Sequence, residues 1–191
     1  MKITKHEMIK KIALVGLLTA LATVLSFIKI PIVSSATVTL VLPVVVIGAA
    51  LCGPVVGAWL TVIPTITSFA EAALFMTYSP FGTVLTLFLK GILAGLASGF
   101  VYKLLSAKRP VGAAVTSAVV APVVNSGIFL LGCYIFLWDV LIEMAESAGV
   151  GMGLLLIGLV GMNFMVELVL NIVLCPAIIR IIKIATGKRA A

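Results

Sequence analysis

The chain has 191 residues, of which 63% are hydrophobic and only 10% charged, and its mean hydropathy is +1.36. A soluble domain carries roughly 25% charged residues, so these values exclude a water-soluble globule, and no segment pairs low hydrophobicity with the high charge that disorder requires. Six spans of ~20 residues would occupy about 120 positions, leaving short loops and tails. The composition therefore predicts an all-α integral membrane protein: six transmembrane helices in one compact domain over residues 1–191. The net charge of +7 and pI near 9.6 would suggest nucleic acid in a soluble protein, but here the placement of the charges matters more, and no nucleic-acid partner is expected.

Hydropathy, breakers and charges divide the chain in order. Span one runs from about Lys11 to Phe27, preceded by Lys2, Lys5, Lys10 and Lys11. A signal peptide would show the same basic start, but no clean A-x-A cleavage site follows, so the segment reads as a retained span. A loop around Lys29-Ile30-Pro31-Ile32 leads to span two, about Ala36 to Leu51, which ends in a tight Cys52-Gly53-Pro54 turn. Span three covers about Val55 to Ala70, and a loop carries Met76 to Gly82. Span four runs from about Thr83 to Leu105 and is closed by Lys108-Arg109-Pro110. Span five covers about Val111 to Trp138. A polar stretch from Asp139 to Gly149 precedes span six, about Val150 to Ile182.

With both termini cytoplasmic, 11 of the 13 basic residues fall in inside segments. The other face holds Lys29 with Asp139, Glu143 and Glu146, which satisfies the positive-inside rule. Trp138 and Tyr78 on one side and Tyr102 on the other suit interfacial anchoring. Cys52, Cys133 and Cys175 all lie in apolar runs with no CxxC motif, which reads as small buried hydrophobes.

Ionisable groups inside hydrocarbon are costly and mark functional candidates. Lys90 lies ten residues after Pro80, or about 15 Å of helix rise, near mid-membrane on span four. Its face reads Thr83, Thr86, Lys90, Ala94 and Ser98. Glu167 lies inside span six, flanked at four-residue spacing by Asn163 and Asn171. Span three carries Thr61, Thr65, Ser68 and Glu71 on one face beside Pro64, and span five carries Asn125 and Ser126 after Pro122. Pro43, Pro64, Pro122 and Pro176 free backbone carbonyls within spans. Kinked helices with inward polar stripes make a cavity. Lys90 and Glu167 either pair with each other or line a cavity in which Lys90 meets an anionic group. Glu71 reads as a solvated carboxylate at a helix end or as a ligand contact, and Tyr78 as an aromatic-belt residue or a stacking lid. Asn125, Asn163 and Asn171 are ligand contacts or interhelical hydrogen-bond glue.

No P-loop, H-E-x-x-H, G-x-S-x-G or paired-carboxylate motif is present. No enzymatic activity, cofactor or metal site is expected, and uphill transport would need energy from another subunit or an ion. Span one has small residues at Ala13, Gly16 and Ala20. Gly16-xxx-Ala20 is a pair that admits a close helix, either from the same chain or from a partner.

Several runs resemble the S components of energy-coupling factor (ECF) transporters. They are Leu42-Pro43 with Gly53-Pro54-Val55-Val56-Gly57-Ala58, and Pro80-Phe81-Gly82-Thr83 through Lys90-Gly91, Gly95 and Gly99 to Tyr102-Lys103. The likeness is strongest over residues 36–106, and the second block is similar to the fourth helix of the pantothenate- and riboflavin-type members. It implies a prokaryotic plasma-membrane subunit that binds a vitamin from outside, hydrolyses nothing, and docks on a transmembrane coupling protein driven by two cytosolic ATPases. In the family, two alanines four apart in the first helix make that contact; here Gly16 replaces the first and Ala20 keeps the second. Lys90, Asn125, Asn163 and Tyr78 fall in or near the regions that build the family pocket, and with Glu167 and Glu71 they make up the substrate-binding candidates. Two other classes stay open on the residues alone. One is an autonomous ion-coupled carrier with Glu167 as its proton site; the other is a ligand-free assembly subunit.

Overall fold

The computed structural model describes residues 5–33, 36–38 and 40–185. It is helical apart from one small hairpin. Helix α1 (Lys5–Phe27) turns Leu18, Ala22 and Ser26 inward at four-residue spacing. Its Thr19, Thr23 and Ser26 hydroxyls donate to the carbonyls of Val15, Thr19 and Thr23. Such back-bonding satisfies polar groups where no water can reach them.

The region expected as a loop and the start of span two is instead a hairpin. Strand β1 (Ile30–Val33) pairs antiparallel with β2 (Ala36–Val38), and Ile30 stands opposite Val38. The β-branched residues Ile30, Ile32, Val33, Thr37 and Val38 favour strand over helix, so helix α2 (Val41–Cys52) starts five residues later than expected. Gly53 then makes the turn with φ +107°, a conformation that favours glycine, and Pro54 opens α3 (Pro54–Trp59).

Span three is not one helix. After α3 the chain breaks at Leu60–Thr61 and resumes as α4 (Val62–Thr67). The cause is Pro64, which has no N–H to offer the Leu60 carbonyl four residues back and whose ring crowds it. Turns follow to Ala72, and the expected 3–4 loop contains a helix, α5 (Ala73–Tyr78). Helix α6 (Pro80–Leu105) starts earlier than expected, because Ser79 caps it by accepting from the Gly82 N–H at 3.3 Å and Pro80 suits the first turn.

Helix α7 (Pro110–Phe136) carries Pro122 in its interior. The polar stretch read as a loop is an amphipathic helix, α8 (Trp138–Ala148), which buries Val140, Leu141 and Ala145 and ends at Gly149 in the left-handed region. Span six comprises α9 (Met152–Leu156), a π turn over Ile157–Gly161, and α10 (Met162–Ala185). Among the described residues, four helical stretches are long and apolar enough to cross a membrane: Met8–Phe27, Pro80–Leu105, Pro110–Phe136 and Met152–Ala177. Val41–Cys52 and Pro54–Thr67 are shorter; twelve residues of helix rise only about 18 Å against a hydrocarbon core of about 30 Å.

The core is built on small residues. A Cβ on Gly95 of α6 would lie 2.5 Å from the Gly57 carbonyl carbon of α3, and one on Gly99 would lie 2.5 Å from Pro54 Cα. Backbone thus meets backbone, as membrane helices require where no hydrophobic effect draws them together. On α7, Ala113, Ala114, Ala118 and Ala121 are fully buried. Tyr102 belongs to this core at 5% exposure, so it is not the interfacial anchor that its position suggested. Cys52, Cys133 and Cys175 are buried, as expected.

Candidate ligand-binding cavity

A cavity of about 390 Å³ lies at the end of the bundle where α6 begins and α7 ends. It falls within the size range of small-molecule sites. The turn before α5 contributes Ser68 and Glu71, and α6 contributes Thr83, Thr86 and Lys90. From α7 come Asn125, Ser126, Phe129 and Cys133, and from α10 Asn163. Phe75 of α5, Leu137 and Leu141 at α8, and Leu156, Leu159 and Val160 around the π turn complete an apolar side. The walls are therefore amphipathic, polar along α6 and α7 and greasy opposite.

Lys90 holds the centre of the polar side. Thr83, Thr86, Ala94 and Ser98 on its face are all buried, so the stripe turns inward as the sequence predicted. Its ammonium sits 4.9 Å from the centroid of the Phe129 ring. A cation over an aromatic face is worth about 2 kcal/mol when desolvated. Phe129 also meets Phe75 edge-to-face, with centroids 6.5 Å apart, which fixes the ring under the charge.

Glu167 stands behind this wall rather than in it. It is 7% exposed, and one carboxylate oxygen accepts from Asn125 Nδ2 at 3.3 Å. Asn163 stands one turn before Glu167 on α10 and lines the cavity. Lys90 and Glu167 feel each other electrostatically, yet no ion pair joins them. Among the described residues the one ion pair is Lys29 with Glu71, at 2.9 Å. Asn171 is fully buried and donates to the Glu167 backbone carbonyl at 2.8 Å. Cys175 links it onward to the Pro43 carbonyl of α2. Both of these Asn171 bonds stay within α10, and the bond that reaches α2 is made by Cys175 instead.

Four buried oxygens in residues lining the cavity have no hydrogen-bond partner: Thr83 Oγ1, Thr86 Oγ1, Ser126 Oγ and Asn163 Oδ1. Elsewhere the helices satisfy such hydroxyls by back-bonding, as at Thr65, Ser98 and Ser117. An orphaned buried polar group costs about 1–3 kcal/mol, so these four oxygens leave the cavity wall with open hydrogen-bonding positions.

The profile of the ECF transporter substrate-specific component family matches residues 10–179. The chain belongs to this family. No curated protein and no solved structure matches it. This substrate-specific component is thus a membrane transporter subunit for a small-molecule substrate, in a family that works with an ECF module.

Of the six candidates in the component, Lys90, Glu71, Asn125 and Asn163 line the cavity. Glu167 reaches it only through Asn125 and Asn163. Tyr78 is outside: it is exposed, and its hydroxyl donates to Glu143 of α8. That bond holds the Tyr78 phenol above its ordinary pKa. Glu71 is neither a bare helix-end carboxylate nor a ligand contact alone, since it pairs with Lys29 while facing the cavity. Phe129, Phe75 and the leucines of α8 and α9 were not singled out from the sequence. Their apolar character is ordinary in a membrane helix, so no local signal separated them. On α1 of the component, Ala13, Gly16 and Ala20 are exposed on the face opposite Leu18 and Ala22. Nothing lies within 4 Å of a Cβ built on Gly16, so the small pair is not used against a helix of the same chain among the described residues.

Proposed function

We propose that this component captures a small, water-soluble vitamin from the extracellular side, with the anionic pantothenate favoured and the uncharged riboflavin next. The observation that carries this is Lys90: a cavity-wall ammonium backed by an aromatic ring and held off its nearest buried carboxylate. An ammonium in this setting wants a carboxylate or phosphate. The unpartnered hydroxyls and the Asn163 oxygen suit a ligand with hydroxyl or amide groups, and the apolar side suits an aliphatic body. All of these fit pantothenate.

In this reading the component spans the membrane six times, with both termini in the cytoplasm of a prokaryotic cell, and catalyses no reaction. It delivers its ligand through a coupling protein and two cytosolic ATPases, and the open Gly16–Ala20 face of α1 is where the coupling protein docks. Mass spectrometry of the small molecule that copurifies with the chain tests the ligand directly; a neutral or cationic compound there refutes the anion assignment. Uptake in liposomes that contain this chain alone would instead establish an autonomous carrier.

A further inference from the structure

Glu167 has no role in the scheme above, yet a buried carboxylate needs one. Its surroundings are specific. From α7, Asn125 offers one amide donor at 3.3 Å; from its own helix, Asn163 lies alongside, and Asn171 bonds the backbone carbonyl rather than the carboxylate. From α6, Lys90 acts across the cavity wall without contact. Cys133 and Glu71 line the cavity together with Lys90. Among the described residues, Lys90 is therefore the one cation that balances the Glu167 charge.

An anion arriving at Lys90 upsets that balance. The low-dielectric interior would then hold one cation and two anions, a state that buried charges avoid. One proton restores neutrality. Asn163 stands one turn before Glu167 on α10, and among the described residues its buried Oδ1 has no partner, so a protonated Glu167 would have an acceptor one turn away on its own helix. We propose that Glu167 is a proton-binding site linked to the cavity. Capture of an anionic ligand at Lys90 draws one proton from water onto the Glu167 carboxylate, forming an O–H bond that donates to Asn163. The stoichiometry is one anion and one proton in, with no change in the net charge of the buried site.

This rests on the anionic ligand proposed above, so the test separates the two. Infrared spectra of the purified chain at neutral pH report a carboxylic acid directly. Lys90→Met removes the balancing cation with no ligand present, and it should produce a protonated-carboxyl band that disappears in Lys90→Met/Glu167→Gln. A folded Lys90→Met protein without that band overturns the proton site. Calorimetry with pantothenate in two buffers of different ionisation enthalpy supplies the second measurement on the unmodified chain. The heats should differ by the ionisation of one buffer proton per ligand, and Glu167→Gln should abolish the difference. Binding with identical heats in both buffers overturns the linkage. Absence of any heat counts against pantothenate alone, and the Lys90→Met band then decides the proton site by itself.

Discussion

Helices α6 and α7 run the length of the bundle, and their two ends behave in opposite ways. At one end α6 places Gly95 and Gly99 against α3, and α7 packs Ala113, Ala114 and Ala118 into a closed core. At the other end the same helices carry Thr83, Thr86, Lys90, Asn125 and Phe129, and between them and the α5, α8 and α9 segments a cavity remains. What differs is the side chain on each inward turn. Glycine and alanine let backbones meet; larger and polar groups hold them apart and leave polar atoms unpartnered. A closed half anchors the fold, and an open half is left free to bind.

The sharpest way to break the contrast is at its closed end. Gly95→Leu must displace the Gly57 backbone, and we expect it to cost roughly 3 kcal/mol, the upper range for overpacking. It should appear as lost folded yield and a lower Tm in detergent; a normal Tm would show that α3 and α6 separate without penalty. At the open end, Lys90→Ala should weaken pantothenate binding about 100-fold, or roughly 2.7 kcal/mol, as truncation of one partner in a desolvated charge contact does. Calorimetry on a mutant of unchanged Tm reads this, and equal affinity would remove Lys90 from the site.

Outside both halves, Gly16→Leu should reduce copurification with the ECF module roughly tenfold by blocking close helix approach. The Tm should not change, because a Cβ at Gly16 meets nothing in the chain. The smallest effect is expected at the Tyr78–Glu143 link between α5 and α8. The folded phenol has a raised pKa, so the neutral form is the one that the fold favours. The contribution of this link is present below the ordinary phenol value of about 10 and is lost as pH rises through the raised value. Ultraviolet titration should show one tyrosine ionising late, and Glu143→Gln should return it toward the ordinary value.

Much of the site was legible in advance because hydrocarbon makes polar residues conspicuous. Lys90, Asn125, Asn163 and Glu71 stood out against an apolar background, and all four line the cavity. Tyr78 misled because its place in a connecting segment is shared by residues that turn toward the cavity and by those that turn toward α8. Tyr102 misled for the opposite reason: a helix-end tyrosine suits an interface, but it is buried in the core cluster that holds the alanines of α7.

The sequence by itself determined the membrane class, the inward stripes of α6 and α10, the glycine turn at Gly53 and the family, since each follows from composition or from spacing along one element. Only the tertiary structure decided that α8 closes the apolar side and that Phe129 rather than Glu167 meets the Lys90 ammonium. These depend on which elements lie side by side, and the rotation that brings Phe129 under Lys90 is set by packing across three helices. No periodicity within a single helix records it.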